Sequence, residues 1–234
     1  MSSEQPPTRA DLANYSVGAR ILDSAGILVF FAAVGANVAR VGWAPELSVA
    51  VAALAGYVGA DLFSGLVHWF FDTWLTTRTP ILGSMFVRPF REHHVDQEAI
   101  TRHDFVEVNG SNCLATSPIL LAALTLDPDA GVASRVAVTF LVALCLGVFL
   151  TNQFHKWAHM PSPPAAIRWL QASRIALHPV HHAVHHASPH DSHYCITTGW
   201  LNRPLDRIGF FRSLECVISA GTGAAARAED GALS

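Results

Sequence analysis

Charge is scarce in this chain. Asp, Glu, Lys and Arg together make up 14% of its 234 residues, whereas roughly a quarter is usual in a soluble domain. With 51% hydrophobic residues, the deficit points away from a soluble globular protein and towards a membrane protein. The formal net charge of −3 with histidine neutral leaves no broad basic field, which excludes a nucleic-acid partner. Cysteine is also sparse. Cys113, Cys145, Cys195 and Cys216 lie far apart with no C-x-x-C pair, so neither a disulfide framework nor a zinc–thiolate site is indicated. Cys145, set among aliphatics, reads as a small buried hydrophobe. There is no flavin, nicotinamide or haem motif and no internal repeat.

What is present, first, is a set of long apolar runs. Residues 1–16 read as a polar tail, 17–220 as a single membrane domain, and 221–234 as a flexible C-terminal tail. The first run follows about twenty mostly polar residues and leads into a second, so it reads as a retained anchor rather than a cleaved signal. Four spans are expected, at residues 21–41, 47–74, 112–126 and 132–159, giving an all-α membrane protein with four transmembrane helices. A turn at 42–45 carries Trp43, a residue type favoured at the interface. The second and fourth runs exceed what a hydrocarbon core of about 30 Å requires, so their C-terminal turns should protrude. Residues 165–175 and 204–220 read as interfacial pieces. Four spans put Arg9, Arg20, Arg78, Arg88, Arg91, Arg102, Lys156, Arg168 and Arg174 on one side. Arg40 and Arg135 fall on the other. Both termini are then cytoplasmic, and every histidine falls on that same face, as a histidine-rich cap.

Second, there are thirteen histidines, and imidazole is the commonest neutral nitrogen ligand of iron, zinc and copper. His155 and His159 are one helical turn apart, with Asn152 on the same stripe. His182, His185 and His186 follow an i, i+3, i+4 pattern, and His181 pairs with His185 in the same way. His93 and His94 are neighbours, whose side chains diverge by about 100° on a helix, so they would serve different metals. His68 shares a face with Asp61 and Asp72, and a carboxylate behind a ligating imidazole fixes its tautomer. For Asp61 the bland alternative is a helix-packing hydrogen bond. His103 with Glu107 is either an outer pair or a solvated helix face, and His178, His190 and His193 read as peripheral. Eight imidazoles suffice for two metals. A nitrogen-rich set without thiolate suits iron and oxygen chemistry better than structural zinc, although ligand type alone does not separate the two metals.

The stretches REHH (91–94), TRHDFVEVNGSNC (101–113), NQFHKWAH (152–159) and HHAVHHASPHDSHYCITTGWLNRPLD (181–206) resemble the Kua-type plasmanylethanolamine desaturase family. Its animal and bacterial members make plasmalogens, and a related plant branch desaturates an acyl chain of phosphatidylglycerol. DLFSGLVHW (61–69) is similar to the family's opening motif, and the likeness covers about residues 57–210. It implies a di-iron oxidoreductase that uses O2 and two external electrons, from a donor such as cytochrome b5 or a ferredoxin. The substrate it implies is a phospholipid in the membrane, a 1-O-alkyl ethanolamine lipid becoming a vinyl ether. The implied ligands are His68, His93, His94, His155, His159, His182, His185 and His186, with His103, His181 and Asn152 as candidates to complete the shells. The competing readings are an acyl-chain desaturase, a hydroxylase and, outside the enzymes, a membrane metal transporter or sensor. Transport would want ligands near the bilayer midplane.

Overall fold

The computed structural model describes residues 15–42, 46–76, 78–80, 82 and 87–226. Among them all regular structure is helical. Trp43 and its turn, Arg9 and most of the polar N-terminal tail, and the last eight residues lie outside the described residues, as do the side chains of Arg88 and Arg91. Helix α1 (Val17–Val41) begins where the Ser16 hydroxyl accepts the Ala19 N–H at 3.1 Å. Helix α2 (Leu47–Thr73) and helix α6 (Val132–Ala158) are each 27 residues long, about 40 Å at 1.5 Å per residue. These three are long and apolar enough to cross a membrane.

The third run is longer than its apolar core. Helix α5 spans Phe105–Ala123, starting seven residues ahead of the expected residue 112. The Asp104 carboxylate caps it by accepting the N–H groups of Val106 and Glu107 at 3.0 and 3.1 Å. The extra turns were hidden because Glu107, Asn109, Gly110 and Ser111 interrupt the apolar Phe105, Val106 and Val108. Short helices α3 (Arg88–Val95) and α4 (Ala99–Arg102) occupy the preceding polar connection. After α6 come α7 (Ala165–Ala172), α8 (Pro179–His185), α9 (Asn202–Arg207) and α10 (Phe210–Thr222).

The bundle has an apolar core, with Phe30, Leu120, Val142 and Phe149 buried between α1, α5 and α6, yet much of its surface is apolar as well. Large apolar side chains such as Ile21, Leu28, Val38, Val51 and Leu54 are exposed, while Asn37, Asp61, Ser64, Thr116 and Thr151 are buried. The buried polar groups join helices: Asn37 Nδ2 donates to Leu120 O (3.0 Å) from α1 to α5. Asn112 Nδ2 donates to Val148 O and Asn152 Nδ2 to Val108 O (both 2.8 Å), a reciprocal pair between α5 and α6. Such bonds hold helices together where lipid removes the hydrophobic drive. Helices α2 and α6 approach closely at two glycines. A Cβ on Gly56 would overlap the Phe140 carbonyl, and one on Gly147 would overlap Ala60 Cβ.

End-to-end pairings set the helix directions. Arg20 meets Asp104 at 2.7 Å, and Arg40 reaches Leu124 O and Leu126 O at the other end, so α1 and α5 run parallel. Glu46 pairs with Arg135 near the starts of α2 and α6, so these two run parallel to each other as well. Lys156 donates to His103 O, which brings the C-terminal end of α6 to the start of α5. All the C-terminal turns of α2 and α6 therefore lie at the end where α1 and α5 begin.

The segment after the histidine run is stitched down onto α2. Fully buried Asp61 accepts the N–H of Thr198 (2.8 Å) and Gly199 (2.9 Å) on Oδ1, and that of Leu201 (3.1 Å) on Oδ2. Ser64 Oγ accepts Ile196 N–H at 3.0 Å. Trp69, Tyr194 and Phe211 pack together below this seam, with Trp69 Nε1 donating to Glu215 on α10 at 3.0 Å. Asp61 is thus an anchor for the 198–201 backbone, a helix-to-loop role distinct from the helix-packing bond expected as the alternative. Replacing one carboxylate that accepts three N–H groups removes charge-assisted bonds worth about 1.5–3 kcal/mol each when buried. Asp61→Asn is expected to speed amide hydrogen exchange at Thr198 and Gly199 by at least about tenfold. Unchanged exchange at both amides would refute the anchor.

Candidate metal centre

Helix ends converge on one region. His68 and Asp72 come from the last turns of α2, His93 and His94 from α3, His155 and His159 from the end of α6, and His182 and His185 from α8 with His186 as its C-cap. Their donor atoms form two groups. In the first, His93, His155, His159, His182 and His186 place one nitrogen each within 4.8 Å of all the others. In the second, His68, His94, His185 and Asp72 do the same. The groups are neighbours, with ring centroids of His93 and His94 at 6.1 Å and of His182 and His185 at 5.8 Å.

Proton counting makes the first group unusual. His182 Nε2 lies 2.9 Å from the Nε2 atoms of His155, His159 and His186. His155 Nε2 lies 2.9 Å from His93 Nε2 and 3.3 Å from His159 Nε2. An imidazole nitrogen carries at most one proton, so one ring cannot satisfy three such contacts by hydrogen bonding. Lone pairs aimed at one point fit a shared cation. Two donors at right angles on a metal with bonds of about 2.1 Å stand about 3.0 Å apart, whereas tetrahedral donors stand about 3.4 Å apart. Four spacings of 2.9 Å lie near the former and the 3.3 Å between His155 and His159 near the latter, both within the range of donors sharing one metal ion.

The second group is different in kind. Asp72 Oδ2 stands 3.4 Å from His68 Nε2, 3.5 Å from His94 Nε2 and 3.4 Å from His185 Nε2, and His94 and His185 are 3.0 Å apart. A carboxylate among three imidazoles lowers the positive charge that a metal would bring. The rings are oriented from behind: His68 Nδ1 donates to Tyr194 O (3.2 Å) and His185 Nδ1 to Ser192 O (2.9 Å). Carbonyls only accept, so both rings carry the Nδ1 proton and turn the Nε2 lone pair into the site. His190 stacks on His94 at 4.3 Å and 9°, with its Nδ1 on His185 O at 3.2 Å.

Burial disfavours the charged form of several of these rings, and metal binding requires the neutral form. Burial, reinforced by the neighbouring imidazoles, holds His93 and His182 well below the ordinary histidine range. Burial likewise brings His159 down to about 4 and His186 to about 3.

All eight histidines singled out from the sequence therefore lie in the two groups, five in one and three in the other, and His93 and His94 fall in different groups. The other candidates do not join them. His103 Nδ1 pairs with Glu107 at 2.7 Å, and His181 faces His193 with centroids 4.9 Å apart. Asn152 bridges α5 and α6, and Asp61 holds the 198–201 backbone. Asp72, expected behind His68, instead has its Oδ2 among the donor atoms themselves. The backing carbonyls of Ser192 and Tyr194 and the stacked His190 were not foreseen, since a carbonyl has no residue signature.

Comparison with known proteins bears on the same residues. Residues 57–229 match the lipid desaturase domain family. The chain is 46% identical over 219 residues to a plasmanylethanolamine desaturase from Myxococcus xanthus, covering 92% of this chain and 78% of that one. It is 42% identical over 227 residues to plasmanylethanolamine desaturase 1 from Mus musculus, covering 92% and 83%. Fatty acid desaturase 4, chloroplastic, from Arabidopsis thaliana is 32% identical over 174 residues, covering 73% and 52%. No solved structure matches the chain. A family match that takes in every residue of both donor groups leaves one conclusion: this chain belongs to the lipid desaturase family.

Proposed function

We propose that this protein is an O2-dependent di-iron desaturase that converts a 1-O-alkyl ethanolamine phospholipid into the vinyl-ether plasmalogen. One observation carries the metal part: nine donor atoms in two adjacent groups, with nitrogen spacings that proton sharing cannot satisfy. The ether-lipid part is supported by the names of the 46% and 42% identical relatives. In this reading His93, His155, His159, His182 and His186 hold one iron, and His68, His94, His185 and Asp72 hold the other. When bound, the iron pair supplies O2 activation. Overall, two vicinal hydrogens leave the alkyl chain, and O2 takes them up with two electrons and two protons from an external donor, giving an alkene and two waters. Cytochrome b5 or a ferredoxin is the donor that the family resemblance implies.

The protein's own residues position and exclude. His68, His182 and His185 are nearly inaccessible to solvent, which keeps water from competing with a C–H bond. The carbonyls of Tyr194 and Ser192 fix two of the rings, and Asp61 fixes the loop that carries Tyr194. We read residues 17–220 as one membrane domain in which α1, α2, α5 and α6 all cross, with the histidine end and both termini cytoplasmic. Support comes from Arg20, Arg102, Lys156, Arg168 and Arg174 at the histidine end, against Arg40 and Arg135 at the other. Donors gathered at one end of the bundle rather than its middle favour an enzyme over a transporter. That depth also suits the first carbons of a lipid chain.

His182→Ala should leave the protein in the membrane, remove iron from the five-nitrogen group and abolish vinyl-ether formation, read by lipid mass spectrometry of a host fed 1-alkyl lipid. Product at the wild-type level in that variant would end the ligand assignment. Outer partners of metal ligands typically contribute about 10–100-fold to affinity. Asp72→Ala should exceed that range because Asp72 is proposed to bind directly; iron retention within about tenfold of wild type would return Asp72 to a supporting role. In the metal-free protein, His159 and His186 titrate at about 4 and about 3 when folded and near 6.5 when unfolded. The unfolded state thus takes up more protons between these values, and stability falls as pH drops from about 6.5 towards 4. Thermal melts that do not move across that window would contradict the buried neutral rings.

A further inference from the structure

An apolar groove runs along the outer face of α2 and ends beneath the segment that follows the histidine run. It has a volume of about 430 Å³ and is lined by Val51, Leu54, Ala55, Val58 and Leu62, with Leu201 at its head. From Val51 to Leu62 it follows eleven residues of helix, about 16 Å at 1.5 Å per residue, the length of a substantial part of a lipid chain within one leaflet.

The head of the groove is polar and positive. Arg203 follows Leu201 by two residues, and both Arg203 and Arg174 are exposed. Trp200 Nε1 donates to Arg174 O at 2.8 Å, which ties Arg174 to the residue preceding Leu201. Tyr57 of α2 donates its hydroxyl to Ile175 O and meets Trp200 edge-on at 5.8 Å. Among the described residues no carboxylate lies within ion-pair distance of either arginine. The His181 ring stands beside the same turn, since a Cβ added to Gly199 would come within 2.7 Å of its Nδ1. That ring precedes His182 of the five-nitrogen group. Arg174 also holds a left-handed backbone conformation, φ +63°, an uncommon state for a residue with a Cβ.

We propose that this groove and its two arginines form the seat of a membrane phospholipid: one hydrocarbon chain lies along α2 from Leu62 towards Val51, and Arg174 and Arg203 bind the phosphate beside His181. Guanidinium groups match phosphate oxygens in geometry and charge. A tryptophan and a tyrosine at the rim suit the boundary between chain and headgroup. Seating the phosphate next to α8 sets the glycerol backbone beside the donor groups, so that the second chain begins near them. This rests on the reading that the protein acts on a phospholipid, but it is tested without turnover.

The test uses the full-length protein in vesicles containing phosphatidylethanolamine with a diazirine-bearing acyl chain, followed by irradiation and peptide mapping. Adducts are expected to concentrate on residues 51–62 and Leu201. Ala55→Phe places a ring in the groove from an exposed position and should lower adduct yield there about tenfold. The double variant Arg174→Gln and Arg203→Gln should lower it to a similar degree. A diazirine-bearing fatty alcohol without phosphate should be lost only in Ala55→Phe. Iron content measured on the same samples reports separately on the metal centre. Adducts spread evenly over the exposed faces of α1 and α2 would overturn the proposal, as would yields unchanged in both variants. Loss of iron with intact groove labelling would instead sink the desaturase reading and leave the seat standing.

Discussion

Imidazole nitrogens held 2.9 Å apart, three around one, are mutually repulsive unless a cation stands among them, and the rest of this fold is arranged to hold them there. No hydrogen-bond assignment removes the difficulty, because each ring has one proton for its two nitrogens when neutral. Burial then closes the other escape. The rings that would relieve the crowding by separating into solvent are fixed to helix ends, and those that would relieve it by becoming charged are kept neutral by their surroundings. Charging them would in any case add repulsion.

The bundle below supplies the rigidity this needs. Two parallel pairs of helices, joined by asparagine side chains and by glycines at the α2–α6 approach, bring the C-terminal turns of α2 and α6 to the same level. From there His68, Asp72, His155 and His159 face a cap built from α3 and α8. Asp61 is the link between the two parts. It lies on the bundle's own helix, and its three accepted N–H groups hold the loop whose Tyr194 carbonyl sets the tautomer of His68. A buried carboxylate is thereby compensated by backbone donors rather than by a cation.

Much of this was legible in the sequence because helical spacing is a direct code for side-chain direction. His155 and His159 sit one turn apart and meet; His93 and His94 are adjacent and part company. The apolar runs gave α1, α2 and α6 in the same way. What was not legible depended on contacts across the chain. The start of α5 was hidden by its polar first turns, which face Gln153 and other partners on α6. The distinction between Asp61 and Asp72 was hidden too: both share the face of His68, and only the position of the 194–201 backbone makes one an anchor and the other a member of the donor ring. The division of eight histidines into five and three follows from how α8 lies against α6, which no spacing rule encodes.

The two groups also differ in charge, five neutral nitrogens in one and three nitrogens with a carboxylate oxygen in the other. That asymmetry gives two neighbouring donor groups of different character, as a two-metal oxygen centre can use. The most direct measurement is the metal count of the full-length protein, purified in active form and analysed by native mass spectrometry with elemental analysis. Two irons per chain are expected, falling to one when a single donor group is dismantled; an active preparation holding no iron, or zinc in its place, contradicts the di-iron centre.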